Sequence, residues 1–340
     1  MKIFTENGIE YRLPNELSEF QYQMYIHLIN WKWKNITIEP GYHGKYPYDA
    51  IIPKSYKDQH YPLYSPIVEK FLSHQQTYPF KSHTFIGHMA SSQAACANLF
   101  LPILEDENIA AAILKVIKPD LKCIATDYFD SGFRIEFWDE PDNRLNDHNK
   151  VSGTDSDIAI AYFNEKDELN LWLIEHKLTE PEFTTCGGYR SKNKDKAHSC
   201  ESIAAILKDN DLCYYHSGCQ YRYWDITLQN EDVFSSESLS AYEVCPFKGG
   251  MNQLWRNQLL ALEIENSNSP KWPFKKVYFS VVYHPKNDSL LATLSEYEKL
   301  IQHNNRFFYF SSDKIVDAAQ NLGSAGISEW SQWYKGLYFW

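Results

Sequence analysis

Apolar residues recur along the chain in two rhythms, and these divide it into elements. Alternation or short continuous apolar runs predict strands over 132–138 (GFRIEFW), 157–163 (DIAIAYF), 171–177 (LWLIEHK), 276–283 (KVYFSVVY) and 306–310 (RFFYF). The polar stretch NEKDELN between the second and third of these predicts a β-hairpin with a longer loop. Helical spacing predicts helices over about 16–33, 91–117, 199–208, 250–265 and 290–302. Ser91 or Ser92 can cap the second of these, and Pro102 is expected to split it in two. Repeated Pro-Gly and Pro-Tyr punctuation predicts that 34–85 is mostly loop. Strands followed by a helix and a further strand predict an α/β fold, a mixed β-sheet flanked by helices. Residues 1–85 read as an aromatic-rich N-terminal extension and 86–340 as the main domain, with an insertion over about 180–249.

Composition narrows the picture. Of 340 residues, 44% are hydrophobic and 23% charged, as in an ordinary folded globule. The longest apolar runs fall short of a membrane span, and the N-terminus lacks the pattern of a secretory signal, so a cytoplasmic location is expected. Seven cysteines without regular spacing fit reduced thiols better than a disulfide framework. A net charge of −11 argues against a broadly basic surface, so any nucleic-acid contact would need a local groove.

The densest chemistry lies where the central hairpin ends. Glu175 and Lys177 stand two residues apart on a strand, so both side chains point the same way. Asp157 opens the neighbouring strand and can approach them, while His176 points to the opposite face and could offer a metal only its backbone carbonyl. Charges ending so apolar a segment call for compensation. A cluster of carboxylates, a hard divalent cation and an ammonium supplies it, and is the apparatus that phosphodiester hydrolysis requires. The competing explanation is a surface Glu and Lys at a strand end.

The segment TDSDIAIAYFNEKDELNLWLIEHKLTE resembles the core of the PD-(D/E)XK, restriction-endonuclease-like nuclease superfamily. Asp157, Glu175 and Lys177 match its pattern; Ser156 stands in place of the usual Pro, and Asp155 competes with Asp157 for the metal. The blocks SSQAACANLFLPIL, IEHKLTE and NQLWRNQLLA, in that order, are similar to a bacterial family of restriction endonucleases. The resemblance implies a restriction-endonuclease-like core, Mg²⁺ (with Mn²⁺ substituting) at Asp157, Glu175 and His176, and cleavage of DNA. It also admits RNA as substrate, a homodimer, or a non-catalytic binding module on the same fold. It gives Gln253 a catalytic position on the helix after the Glu-x-Lys strand, with Arg256 beside it. A solvated face shared with Asn252 and Asn257 is the equal alternative. Gln93 would stand where superfamily members carry a helical Glu, with a helix-terminal polar residue as the equal alternative. Glu136 reads more simply as the solvent face of a strand. Cys186, Cys200, Cys213, Cys219 and Cys245 fall in the insertion without the close pairs of a metal site. Two basic runs, Arg190 to Lys196 and Lys271 to Lys276, could line a phosphate groove or form solvated loops, and Tyr214, Tyr215, Tyr221, Tyr223 and Trp224 could offer stacking surfaces but read rather more simply as a buried aromatic patch.

Overall fold

A computed structural model describes residues 2–149, 153–191, 200–302 and 304–340. Strands β1 (Lys2–Glu6) and β2 (Ile9–Leu13) form a hairpin, followed by helix α1 (Glu19–Asn35). Ser18 and Gln21 close a reciprocal capping box at the start of α1. A second small hairpin, β3 (Gly41–His43) with β4 (Tyr46–Tyr48), and helix α2 (Val68–Thr77) occupy the stretch expected to be loop. Three-residue strands and a ten-residue helix carry too few periodic positions to stand out against the surrounding prolines.

Helix α3 (Ser92–Leu104) starts at the Ser91 cap, and α4 (Glu107–Leu114) starts at Asp106. The expected break at Pro102 is displaced to Glu105–Asp106, because Pro102 lies inside α3. Proline frees the carbonyl four residues earlier, and here the buried Trp330 indole N–H donates to that Asn98 oxygen at 2.7 Å.

The central sheet holds β5 (Leu121–Ile124), β6 (Phe133–Phe137), β7 (Ser156–Asn164), β8 (Leu169–Lys177), β9 (Lys276–Tyr283) and β10 (Phe307–Ser311). Its order is β10-β9-β8-β7-β5, with β6 also on β7. Pairs among β5 to β8 are antiparallel, while β8–β9 and β9–β10 are parallel, so the sheet is mixed as expected. Helix α5 (Met251–Glu265) connects into β9, and α6 (Leu291–Leu300) links β9 to β10. Helices α7 (Asp313–Leu322) and α8 (Ala325–Tyr338) end the chain.

Alternation along the strands builds a core on each face. Ile158, Ile160, Trp172, Ile174 and Val282 face α3, α4, α7 and α8. Ala159, Ala161, Leu171, Leu173, Phe279 and Val281 face α5, α6 and the segment 183–247. Helix α1 packs on α8 and contributes Met24 and Leu28 to the first core, which seats the N-terminal segments against the sheet. No helix among the described residues is long and apolar enough to cross a membrane.

Candidate active site

Strands β7 and β8 pair antiparallel through Ile158 and Ile174, so Asp157 and Glu175 come level one residue beyond. Glu175 is held on three sides. Its Oε1 accepts from Lys177 Nζ at 2.9 Å and from Gln253 Nε2 at 2.7 Å, and its Oε2 accepts from Asn257 Nδ2 at 3.2 Å. Asp157 Oδ2 accepts the His176 backbone N–H at 2.6 Å. Glu175 and Lys177 are only 4% and 7% exposed, so their charges are largely removed from water and depend on each other.

The His176 ring is buried on the other side of the strand, with neither nitrogen hydrogen-bonded. Burial pushes its pKa down to about 4. Asp155, the competitor of Asp157, engages His148 Nε2 at 3.1 Å.

Two further carboxylates join the cluster. Glu136, expected on a solvent face, instead lines a cleft beside Asp157. Its φ of +49° in the middle of β6 places a non-glycine residue in the left-handed region, and this local turn breaks the regular pleat that predicts an outward side chain. Gln93 Nε2 donates to Glu136 Oε1 at 2.9 Å, and Gln93 Oε1 accepts the His83 N–H at 2.9 Å. Glu180 Oε2 accepts the backbone N–H groups of Leu178 and Thr179 at 2.8 and 3.0 Å. Glu180 also lines the cleft, which has a volume of about 780 Å³.

The charges do not balance. Lys177 is the ammonium in contact with this group, against Glu136, Asp157, Glu175 and Glu180. Burial would neutralise Lys177, but Glu175, Glu180 and Asp157 hold it protonated. Burial and the neighbouring charges of Glu175 and Glu136 push Asp157 well above the usual carboxylate range. Burial, then Asp155 and Glu175, push Glu136 up to about 8. Burial alone would also raise Glu180, but Lys177, the Ser92 hydroxyl and the backbone bring it below its ordinary value.

This donor set fits a hard divalent cation. Among the described residues no three His, Cys, Asp or Glu side chains are arranged around a common ion position. Mg²⁺ needs only one or two carboxylates and retains several waters, which Asp157 and Glu175 can provide. The second element of the fit is the crowding of buried carboxylates, whose burial and mutual repulsion drive protons onto Asp157 and Glu136 where no cation is bound.

Other expected contributors separate. Asn257 sits one helical turn from Gln253 and shares its face, which the i, i+4 spacing would have indicated; both are on Glu175 rather than on a solvated surface. Asn252 is likewise buried. Arg256 turns away to the Gly153 carbonyl at 3.5 Å and to Tyr223. Lys276 pairs with Asn170 while Tyr283 pairs with Lys177. The Lys271 to Lys276 run therefore lies one strand length away, about 23 Å at the usual rise, too far to line this cleft. Lys192, Lys194, Lys196 and His198 lie outside the described residues. Of the expected aromatic patch, Tyr223 and Trp224 are buried against Trp255, while Tyr214, Tyr215 and Tyr221 are only partly buried. All seven cysteines are free thiols. Cys186, Cys200, Cys213 and Cys245 are buried near one another, and burial raises the pKa of Cys186 and Cys200.

Compared with known proteins, residues 26–339 match the model of a family described as Restriction Endonuclease associating with ARP. No curated protein and no solved structure matches the chain.

Proposed function

The chain belongs to the family of restriction endonucleases described as associating with ARP, and from that premise we propose that it is a divalent-metal-dependent nuclease of the PD-(D/E)XK type acting on DNA. The observation that carries this is the meeting of Asp157, Glu175 and Lys177 at the shared end of two antiparallel strands, where burial and neighbouring carboxylates oppose the charge on Asp157. The mixed sheet, with α3 before the hairpin and α5 after the Glu-x-Lys strand, is the context such a site requires.

Asp157 and Glu175 would hold Mg²⁺ or Mn²⁺, with the His176 carbonyl as a further oxygen donor. The cation supplies charge neutralisation at the scissile phosphate and a more acidic water. Lys177 places an ammonium beside Glu175, where it can orient the attacking water and favour loss of its proton. Gln253 and Asn257 orient Glu175 from behind, as outer partners of metal ligands do. Glu136 is positioned, through Gln93, as a third carboxylate able to take a proton or a metal-bound water's hydrogen bond.

The test is digestion of labelled single- and double-stranded DNA and RNA by the wild type, Asp157→Asn and Glu175→Gln, with Mg²⁺, Mn²⁺ or EDTA. Metal-dependent DNA cleavage lost in both variants is expected. Cleavage that survives in either folded variant, or in EDTA, would contradict the assignment.

A further inference from the structure

The cleft is lined by Glu136, Asp157 and Glu180 and also by N-terminal residues that include His43, Lys81 and His83, the last two tied to Glu136 through the Gln93 side chain. The acidic residues suit a cation. The N-terminal residues add donors and an aromatic hairpin that the metal chemistry leaves unused.

In the β3–β4 hairpin, His43 pairs with Tyr46 and Gly41 with Tyr48. Cross-strand partners share a face, so Tyr46 lies on the face of His43 and Tyr48, both of which line the cleft. Tyr46 is 53% exposed, and Lys45 Nζ stands 5.5 Å from its ring. The base of the hairpin is fixed. Buried Lys32 Nζ donates to the carbonyls of Glu39, Asp49 and Ile51 at 2.6, 2.7 and 3.3 Å. Gly41 lies so close to Ile51 that an added Cβ would sit 2.4 Å from its side chain. Tyr48 packs edge-on against Tyr25 and His88. A rigid base with an exposed ring at its tip is the form of a stacking platform rather than of a core element.

On the adjoining loop, Lys81 and His83 are exposed. His83 Nδ1 accepts the Phe85 N–H at 3.2 Å, which leaves the neutral ring's proton on Nε2 as a donor. A volume of about 780 Å³ is on the scale that encloses one small molecule, and a ring can stack face to face only on a base that is unpaired or at an end.

We propose that the β3–β4 hairpin and the 81–83 segment form the substrate clamp for an unpaired DNA strand, with a base stacked on Tyr46 and the adjoining phosphate taken by Lys81 and His83. This rests on the nuclease assignment and specifies its substrate as a single strand, flap or frayed end. Base stacking on an aromatic ring tolerates any sequence, so the clamp selects strandedness, not a recognition sequence.

Fluorescence anisotropy in EDTA, which separates binding from cleavage, tests it with a labelled single-stranded DNA 12-mer, its blunt duplex and the matching RNA. Tyr46→Ala should weaken single-strand binding by roughly 5- to 150-fold, Tyr46→Phe should restore it, and duplex binding should not move. Lys81→Ala should lower the salt slope by about 0.7 for each phosphate the protein no longer neutralises. Equal binding of the single strand by wild type and Tyr46→Ala, or equal losses for single strand and duplex, would overturn the clamp alone. RNA bound tighter than DNA would overturn the choice of substrate. No binding of the single strand by the wild type would overturn the clamp and leave the nuclease assignment to the digestion test in Mg²⁺.

Discussion

Glu136→Gln should make the metal-free protein more stable at neutral pH. The Glu136 carboxyl rises from an ordinary 4.5 to about 8 because it is buried and faces Asp155 and Glu175. An acid whose pKa is raised on folding binds its proton more tightly in the native state. Its contribution is therefore favourable below pH 4.5 and is lost as pH rises toward 8. At pH 7 the difference spans roughly 2.5 pH units, which sets a ceiling of about 3 kcal/mol. Asp157 shares the same repulsion, so a gain of about 1–3 kcal/mol is expected. Glutamine keeps an oxygen for the Gln93 N–H and leaves the backbone at φ +49° unchanged, so charge is the only large difference. Urea unfolding in EDTA at pH 4.5 and pH 8 measures it. Wild type and variant should coincide at pH 4.5, and the variant should be the more stable at pH 8. A variant destabilised equally at both values would refute the claim that burial and the neighbouring carboxylates penalise the charged form of Glu136.

Three further outcomes are expected. Burial holds the His176 and His284 rings neutral, with pKa values pushed down to about 4; the unfolded chain takes up their protons first as pH falls below 6.5. Relative to His176→Gln, the wild type should therefore lose up to about 3 kcal/mol between pH 6.5 and 4, read from urea midpoints, and a difference that does not change with pH would count against it. Lys32→Met leaves three carbonyls without their charged donor and should cost about 3 kcal/mol or more, visible as a lower urea midpoint and faster proteolysis near residues 39–51. Gln253→Ala removes a donor from Glu175 and should reduce metal affinity or activity by roughly 10- to 100-fold, measured by Mn²⁺ titration.

The parts legible in the sequence were those with long, regular signals. Strand Lys276–Tyr283 and helix Met251–Glu265 coincide closely with their apolar periodicity, and the Glu175–Lys177 spacing placed both side chains on one face. Glu136 could not be placed, because a single left-handed residue reverses the pleat and no local residue type signals it. Asn257 was recoverable from its spacing to Gln253 but was masked by a polar composition that resembles solvent exposure. The cleft wall at Lys81 and His83 is held by Gln93 of α3, whose side chain joins the Lys81 carbonyl and the His83 N–H to Glu136, a contact between separate segments that no local pattern encodes.

The most direct measurement is anomalous diffraction from crystals equilibrated with Mn²⁺. A single strong peak bound by the carboxylates of Asp157 and Glu175, and absent from Asp157→Asn crystals, is the predicted result. Saturating Mn²⁺ with no density between those two carboxylates would mean that the end of the β7–β8 hairpin is not a metal-dependent catalytic centre.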